Sequence, residues 1–141
     1  MRRDSYSRPR RLALGAEALV CLALARAAVV LLPFRVLALR LGVRMGETPA
    51  AVEVSPPSRE VNWGIGAAAA RSPWRSKCLE QAIAAKMMLR RRGVHSTLYL
   101  GMTREPVAAH AWVRVGEWNV TGGQDVSRYA VVASFADVER R

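Results

Sequence analysis

After eleven mostly polar, arginine-rich residues the chain runs into a long apolar stretch with no polar face, and it closes on short stretches in which apolar and polar residues alternate. From Leu12 to about Leu32 the sequence is mostly Leu, Ala and Val, interrupted by Glu17 and Arg26 and weakened only by Gly15. That composition predicts one long helix. Pro33 starts a second, short helix over 34–41, which Gly42 caps. Residues 46–60 hold Thr48-Pro49 and Ser55-Pro56-Pro57-Ser58 and read as an extended linker. Val61–Arg71 reads as a helix broken by Gly64 and Gly66.

A further helix is predicted over Lys77–Arg92, with Ser76 as its N-cap and Gly93 just past its end. Arg90, Arg91 and Arg92 stand in its last turn, where cations complement the helix dipole. Leu79, Ala82, Ile83 and Met87 trace one stripe, and Cys78, Ala82, Ala85 and Leu89 the adjoining one, so Cys78 lies in the first turn at the edge of the buried face. After Gly93 the period shortens to two. Strands are predicted over Val94–Met102, Ala108–Val115, Trp118–Thr121 and Tyr129–Phe135, with Gly116-Glu117 as a two-residue turn. In the second strand Ala109, Ala111, Val113 and Val115 share one face, and His110, Trp112 and Arg114 the other. A helix followed by paired strands is an α+β layout. The chain thus divides into an apolar helical segment over 1–45, a Pro-rich linker over 46–60 and a module over 61–141.

The first helix raises the question of a membrane. Its charge-free runs, Ala18–Ala25 and Ala27–Phe34, have eight residues each, whereas a span needs about 20. Glu17 sits where the apolar heart of a signal would be, and Pro33 adds a break. A buried helix in a cytoplasmic protein is the expected outcome, with membrane-surface association left open.

Composition narrows the picture further. Among 141 residues, 22 Lys and Arg oppose 11 Asp and Glu, for a formal charge of +11, and 51% are hydrophobic. Such a chain buries a core and is neither disordered nor collagen-like. Its charge would attract nucleic acid, anionic lipid or an acidic peptide. The aromatic interleaving of a nucleic-acid platform is missing, so nucleic acid is not an expected partner. Two cysteines cannot build a disulfide framework, and the ligands for a structural zinc are too few. No phosphate-binding loop is present. Neither metal nor cofactor is expected.

The candidate chemistry rests on Cys78 and His110. A helix N-terminus favours thiolate, the reactive form of cysteine, and a histidine on a neighbouring strand can take and return its proton. By position alone, Cys78 also reads as a small buried hydrophobe and His110 as a satisfied sheet histidine. The surrounding residues sharpen the choice. Pro73-Trp74-Arg75-Ser76-Lys77-Cys78-Leu79-Glu80-Gln81-Ala82, then Met88 to Val94, Leu98-Tyr99-Leu100-Gly101 and Ala109-His110-Ala111-Trp112-Val113 closely resemble the lasso-peptide leader peptidases. These bacterial proteins are transglutaminase-like cysteine proteases, the protease half of the lasso-peptide maturation B protein. The resemblance covers roughly residues 70–135.

That resemblance implies a transglutaminase/papain-like core, with the catalytic Cys at a helix N-terminus packed on an antiparallel sheet and helices in front. It implies a cysteine peptidase that removes the leader from a ribosomally made precursor through a thioester, with Cys78 as nucleophile and His110 as general base. The partners implied are the precursor peptide, a separate leader-binding protein and a lasso cyclase. The family's third residue is an acid after the strand that follows the His, and here the chain reads Thr121-Gly122-Gly123-Gln124-Asp125. If Gly116-Glu117 is the turn, Val115 faces Trp118, His110 faces Gly123, and Thr121 and Asp125 are its diagonal neighbours. Asp125 is the charged one and so the expected orienter of His110. Asn119 is the neutral alternative. The backbone N–H of Cys78 is the expected oxyanion donor. Trp74 reads as a cleft wall or a packing residue, His95 as a surface or strand histidine, and Cys21 as core. Two other readings stand beside the peptidase: a transglutaminase-type amide transferase, and a non-catalytic basic module that holds nucleic acid or membrane.

Overall fold

The computed structural model describes residues 6–49, 56–72, 77–104 and 106–137. Four helices and five strands follow in the order α1 (Arg8–Leu31), α2 (Phe34–Leu41), β1 (Val43–Arg44), α3 (Pro56–Arg71), α4 (Cys78–Arg91), β2 (Thr97–Arg104), β3 (Val107–Val115), β4 (Trp118–Thr121) and β5 (Ala130–Ala136). The strands form one antiparallel sheet in the order β1-β5-β2-β3-β4. The fold is α+β.

α1 starts ahead of its apolar run because Ser7 Oγ accepts the Arg10 N–H and Pro9 occupies the first turn. It stops at Pro33, which cannot continue an i→i−4 ladder. α2 ends at Gly42, whose φ of 132° only glycine adopts freely. A Cβ there would sit 2.4 Å from the Ala136 carbonyl oxygen, so the missing side chain lets β1 lie against β5. β1 is too short to leave a period in the sequence.

α3 departs from the sequence reading in two ways. It begins at Pro56, within the stretch read as linker, and it runs unbroken through Gly64 and Gly66. Residues 50–55 lie outside the described residues. Gly64 is a close-approach position: a Cβ there would meet the Leu14 carbonyl oxygen at 3.3 Å, on the α1 side. The N-cap of α4 is Lys77, and the expected cap Ser76 lies outside the described residues. The Lys77 N–H reaches Glu80 Oε2 at 3.4 Å, which places an acid in the first turn. At the other end Val94 N–H donates to Leu89 O and Gly93 N–H to Arg90 O, with Gly93 at φ 70°. This is a Schellman closure. It draws Val94 into the cap, and β2 therefore starts at Thr97.

One core joins the helices to one face of the sheet. Leu14, Ala18, Cys21, Leu22 and Ala25 of α1 are buried, with Val61, Ile65 and Ala68 of α3 and Ala82, Ala85, Met88 and Leu89 of α4. Leu98, Ala111, Val113, Val115, Val120 and Phe135 face them from the strands. The N-terminal helices thus share one core with α4. Ion pairs fasten them: Glu17 meets Arg91 at 2.7 Å and Arg92 at 2.6 Å, and Arg26 meets Glu80 at 3.3 Å.

Candidate active site

Cys78 is the first residue of α4, half-buried and packed against the core. Its height on the sheet follows from the other end of the helix. Lys86 Nζ donates to the Ser96 carbonyl at 2.8 Å, which ties the second half of α4 to the entry of β2. Cys78 lies eight residues up the helix from Lys86, about 12 Å. Gly101, the β2 partner of His110, lies five residues up the strand from Ser96, about 16 Å. α4 and β2 are joined by a tight reversal, so thiol and imidazole come to the same end of the fold.

They come from different sides of β3. Ala111, Val113 and Val115 belong to the helix-side core, whereas His110, Trp112 and Arg114 alternate onto the other face. Among the described residues no hydrogen bond joins Cys78 to His110.

On its own face His110 is held closely. The half-buried ring stacks on Tyr129 at 4.8 Å between centroids and on Trp112 at 5.8 Å, and Trp112 stacks on Tyr99 at 5.4 Å. Gly101 makes room beneath: a Cβ there would lie 2.8 Å from two Trp112 ring carbons. Arg114 extends the face, donating to the Tyr99 hydroxyl at 3.0 Å and to the Thr48 carbonyl at 2.6 Å.

His110 Nε2 lies 2.7 Å from the Gly122 carbonyl oxygen. A carbonyl can only accept, so Nε2 carries the proton and Nδ1 of the neutral ring is the free base. Gly122 and Gly123 are consecutive left-handed residues, at φ 89° and 87°, and this double turn aims the carbonyl at the ring. A Cβ on Gly122 would meet the Trp112 Cβ at 2.4 Å. Asn119 and Gln124 brace the turn. Asn119 Nδ2 donates to the Gly123 carbonyl at 2.9 Å, and the Gln124 side chain accepts from Asn119 N at 3.2 Å and donates to Asn119 O at 2.6 Å.

Neither expected third residue is on the imidazole. Asp125 is fully exposed, and its carboxylate accepts from Ser127 N at 3.2 Å and Ser127 Oγ at 2.7 Å. The Ser127 hydroxyl and amide hold its carboxyl below the usual value. The register explains the difference. Val115 pairs with Trp118 and Arg114 with Asn119 as expected, but Val113 then pairs with Thr121. Val120 is an extra residue, and one extra residue turns every later side chain to the other face. Asp125 is displaced and a backbone carbonyl takes its place at the ring. Asn119 acts one step away, on the turn. Gly122-Gly123 had marked a bend in the sequence, but nothing in residue types indicates which carbonyl a bend will offer.

Trp74 lies outside the described residues. His95 is exposed beside Gly93 and Val94, at the far end of the sheet. Cys21 is buried in the core, and burial pushes its thiol up, away from reactivity.

A family model described as the transglutaminase-like superfamily matches residues 18–134, from the middle of α1 to the end of the sheet. No curated protein and no solved structure matches the chain.

Proposed function

The chain belongs to the transglutaminase-like superfamily, whose members are typically cysteine-dependent enzymes, and on that premise we propose that it is a cysteine peptidase that removes the leader from a lasso-type precursor peptide. The supporting observations are a Cys78 that opens α4 and a His110 whose Nε2–H is committed to Gly122. The nitrogen left free, Nδ1, is the one available to a thiol.

In this reading His110 Nδ1 takes the Cys78 thiol proton and Sγ attacks the scissile carbonyl. The oxyanion forms against the backbone N–H groups of the first α4 turn. The imidazolium then gives its proton to the departing amine of the core peptide, leaving the leader as a thioester on Sγ. Water, deprotonated by His110, hydrolyses the thioester, releasing the leader carboxylate and restoring the thiol. The reading requires Nδ1 to reach Sγ around the end of β3 when substrate binds, because the two groups start from different sides of that strand. Leader specificity is supported by the resemblance in residues 70–135. A cytoplasmic setting, with a leader-binding protein and a cyclase as partners, belongs to the same reading.

The test is product analysis. Purified protein is incubated with a lasso-type precursor and its leader-binding protein, and products are weighed by mass spectrometry. Free leader and free core support the peptidase. A leader joined to an added amine makes the protein a transferase, and no thioester chemistry at Cys78 overturns both.

A further inference from the structure

α1 is apolar on both sides, and its outward side is covered by nothing among the described residues. At 100° per residue, Leu12, Leu19, Val20, Leu24, Val30 and Leu31 fall in an arc about 140° wide, opposite the buried Leu14, Ala18, Cys21, Leu22 and Ala25. Leu24 is 52%, Val30 69% and Leu31 76% exposed. α2 continues the surface with exposed Phe34, Val36 and Leu39. An exposed apolar helix face of this kind marks an interaction site.

The charge around it selects the partner. Residues 8–44 hold seven arginines and one acid, Glu17, for a net charge of 7 − 1 = +6. Glu17 is paired with Arg91 and Arg92, and Arg10 and Arg26 are paired with Glu60 and Glu80, so the argument rests on the other five arginines. Arg8, Arg11 and Arg71 rim a cleft that Leu12 and Leu19 also line, and Arg35 and Arg44 flank the groove of Phe34, Val36 and Leu39. A second copy of the chain would set arginine against arginine across a two-fold axis. A protein partner is disfavoured because the six outward residues of α1 offer it no hydrogen-bonding side chain, and protein interfaces carry about one hydrogen bond per 100–200 Å². An anionic bilayer matches both properties, taking apolar side chains below its headgroups and arginines among them. α1 is long and apolar enough to cross a membrane, yet its other face holds the α3–α4 core, so it lies along the surface.

We propose that the outward face of α1, continued by α2, seats this protein on an anionic membrane surface. The membrane-facing layer is then the helix layer, and the His110 face of the sheet points towards the cytosol, open to a soluble precursor.

The test is flotation of the full Cys78→Ala chain with vesicles of phosphatidylglycerol and phosphatidylcholine, or of phosphatidylcholine alone. Binding is independent of catalysis, so its failure and that of the peptidase reading are separable. The expected result is flotation with the anionic vesicles that weakens with salt. Val20→Glu/Leu24→Glu should reduce it roughly tenfold or more. Arg8→Gln/Arg11→Gln should reduce it at least about tenfold, each cation near an anionic surface being worth about fivefold. All four side chains are exposed, so circular dichroism and Tm should stay at the parent values. No flotation of the folded parent overturns the proposal. So does flotation unaffected by Val20→Glu/Leu24→Glu, or a dimer in sedimentation that this variant dissolves.

Discussion

His110 Nε2 and the Gly122 carbonyl oxygen stand 2.7 Å apart, and in the proposed mechanism that contact takes the place of the carboxylate of a Cys-His-Asp site. It fixes the tautomer and, with the Tyr129 and Trp112 rings, the orientation of the imidazole. A carbonyl also stabilises the imidazolium, as a dipole rather than as a full charge. A thiol nucleophile tolerates the weaker partner, because its thiolate is accessible near neutral pH.

The first prediction follows from where the carboxylate went. Asp125→Asn should leave turnover within about twofold of the parent, since among the described residues Asp125 hydrogen-bonds only Ser127. Asn119→Ala should cost about 10-fold or more, because it loosens the turn that presents Gly122, and an orienting group acts through the residue it holds. Two-bond ¹H–¹⁵N correlation of the neutral ring should find the proton on Nε2 in the parent and in Asp125→Asn, and a mixture of tautomers in Asn119→Ala. A crippled Asp125→Asn enzyme would restore the carboxylate to the site.

The second prediction concerns the dyad. Cys78→Ala and His110→Ala should each lower turnover by at least about 10³-fold, and the double variant should be no worse than the singles, because the two act as a unit. Thermal unfolding should shift little, as both side chains are only half-buried. Independent, multiplying losses measured in the three variants would mean that the thiol and the imidazole do not share a proton.

Most of the architecture was legible in the sequence because it rests on local rules. α2 occupies the predicted residues, and β4 occupies Trp118–Thr121 as read from a turn whose first central residue, Gly116, has φ 58°. What was not legible is non-local. Gly64 looked like a helix breaker because its use, the passage of α1, lies about 50 residues away in sequence. The extra residue at Val120 is a choice of pairing that leaves no trace in residue types, yet it decides whether residue 122 or 125 reaches His110. The nucleophile and base candidates were readable from helix start and strand alternation; their relation across β3 was not.

A third prediction tests the floor under the imidazole. Gly101→Ala would press a Cβ to 2.8 Å from the Trp112 ring and 2.9 Å from the Tyr129 Cβ. Overpacking of this kind costs about 1–3 kcal/mol. The displaced rings are the ones that stack on His110, so turnover should fall while precursor KM stays near the parent value. Tryptophan fluorescence should report the moved indole. A variant with parent Tm and parent turnover would show that this face is slack.

The last prediction concerns a charge buried far from the site. Lys86 is among the largest fully buried side chains of the described residues, 1% exposed, with its ammonium on the Ser96 carbonyl and 3.2 Å from Asp137. Burial drives its pKa down from 10.5 to about 8, more than Asp137 pulls it back. Burial also raises the Asp137 carboxyl, but Lys86, Arg90 at 2.8 Å and the Ser96 amide outweigh it and hold that group below its ordinary value. The sign of the pH effect is then set. Between pH about 8 and 10.5 the unfolded chain holds the lysine proton that the folded chain has lost, so the unfolding free energy rises with pH, by about 3 kcal/mol over the window. Below pH 8 both states carry the proton and the slope vanishes. Lys86→Met keeps the volume and removes the titration, and Asp137 retains Arg90 and Ser96. Urea unfolding across this window should therefore give a parent whose stability rises relative to that of Lys86→Met. At neutral pH the variant should be as stable as the parent or more so, as expected when a buried ion is replaced by an apolar side chain of similar size. Parallel pH curves for the two proteins would mean that Lys86 keeps its proton throughout, bound to Asp137 more tightly than its burial opposes.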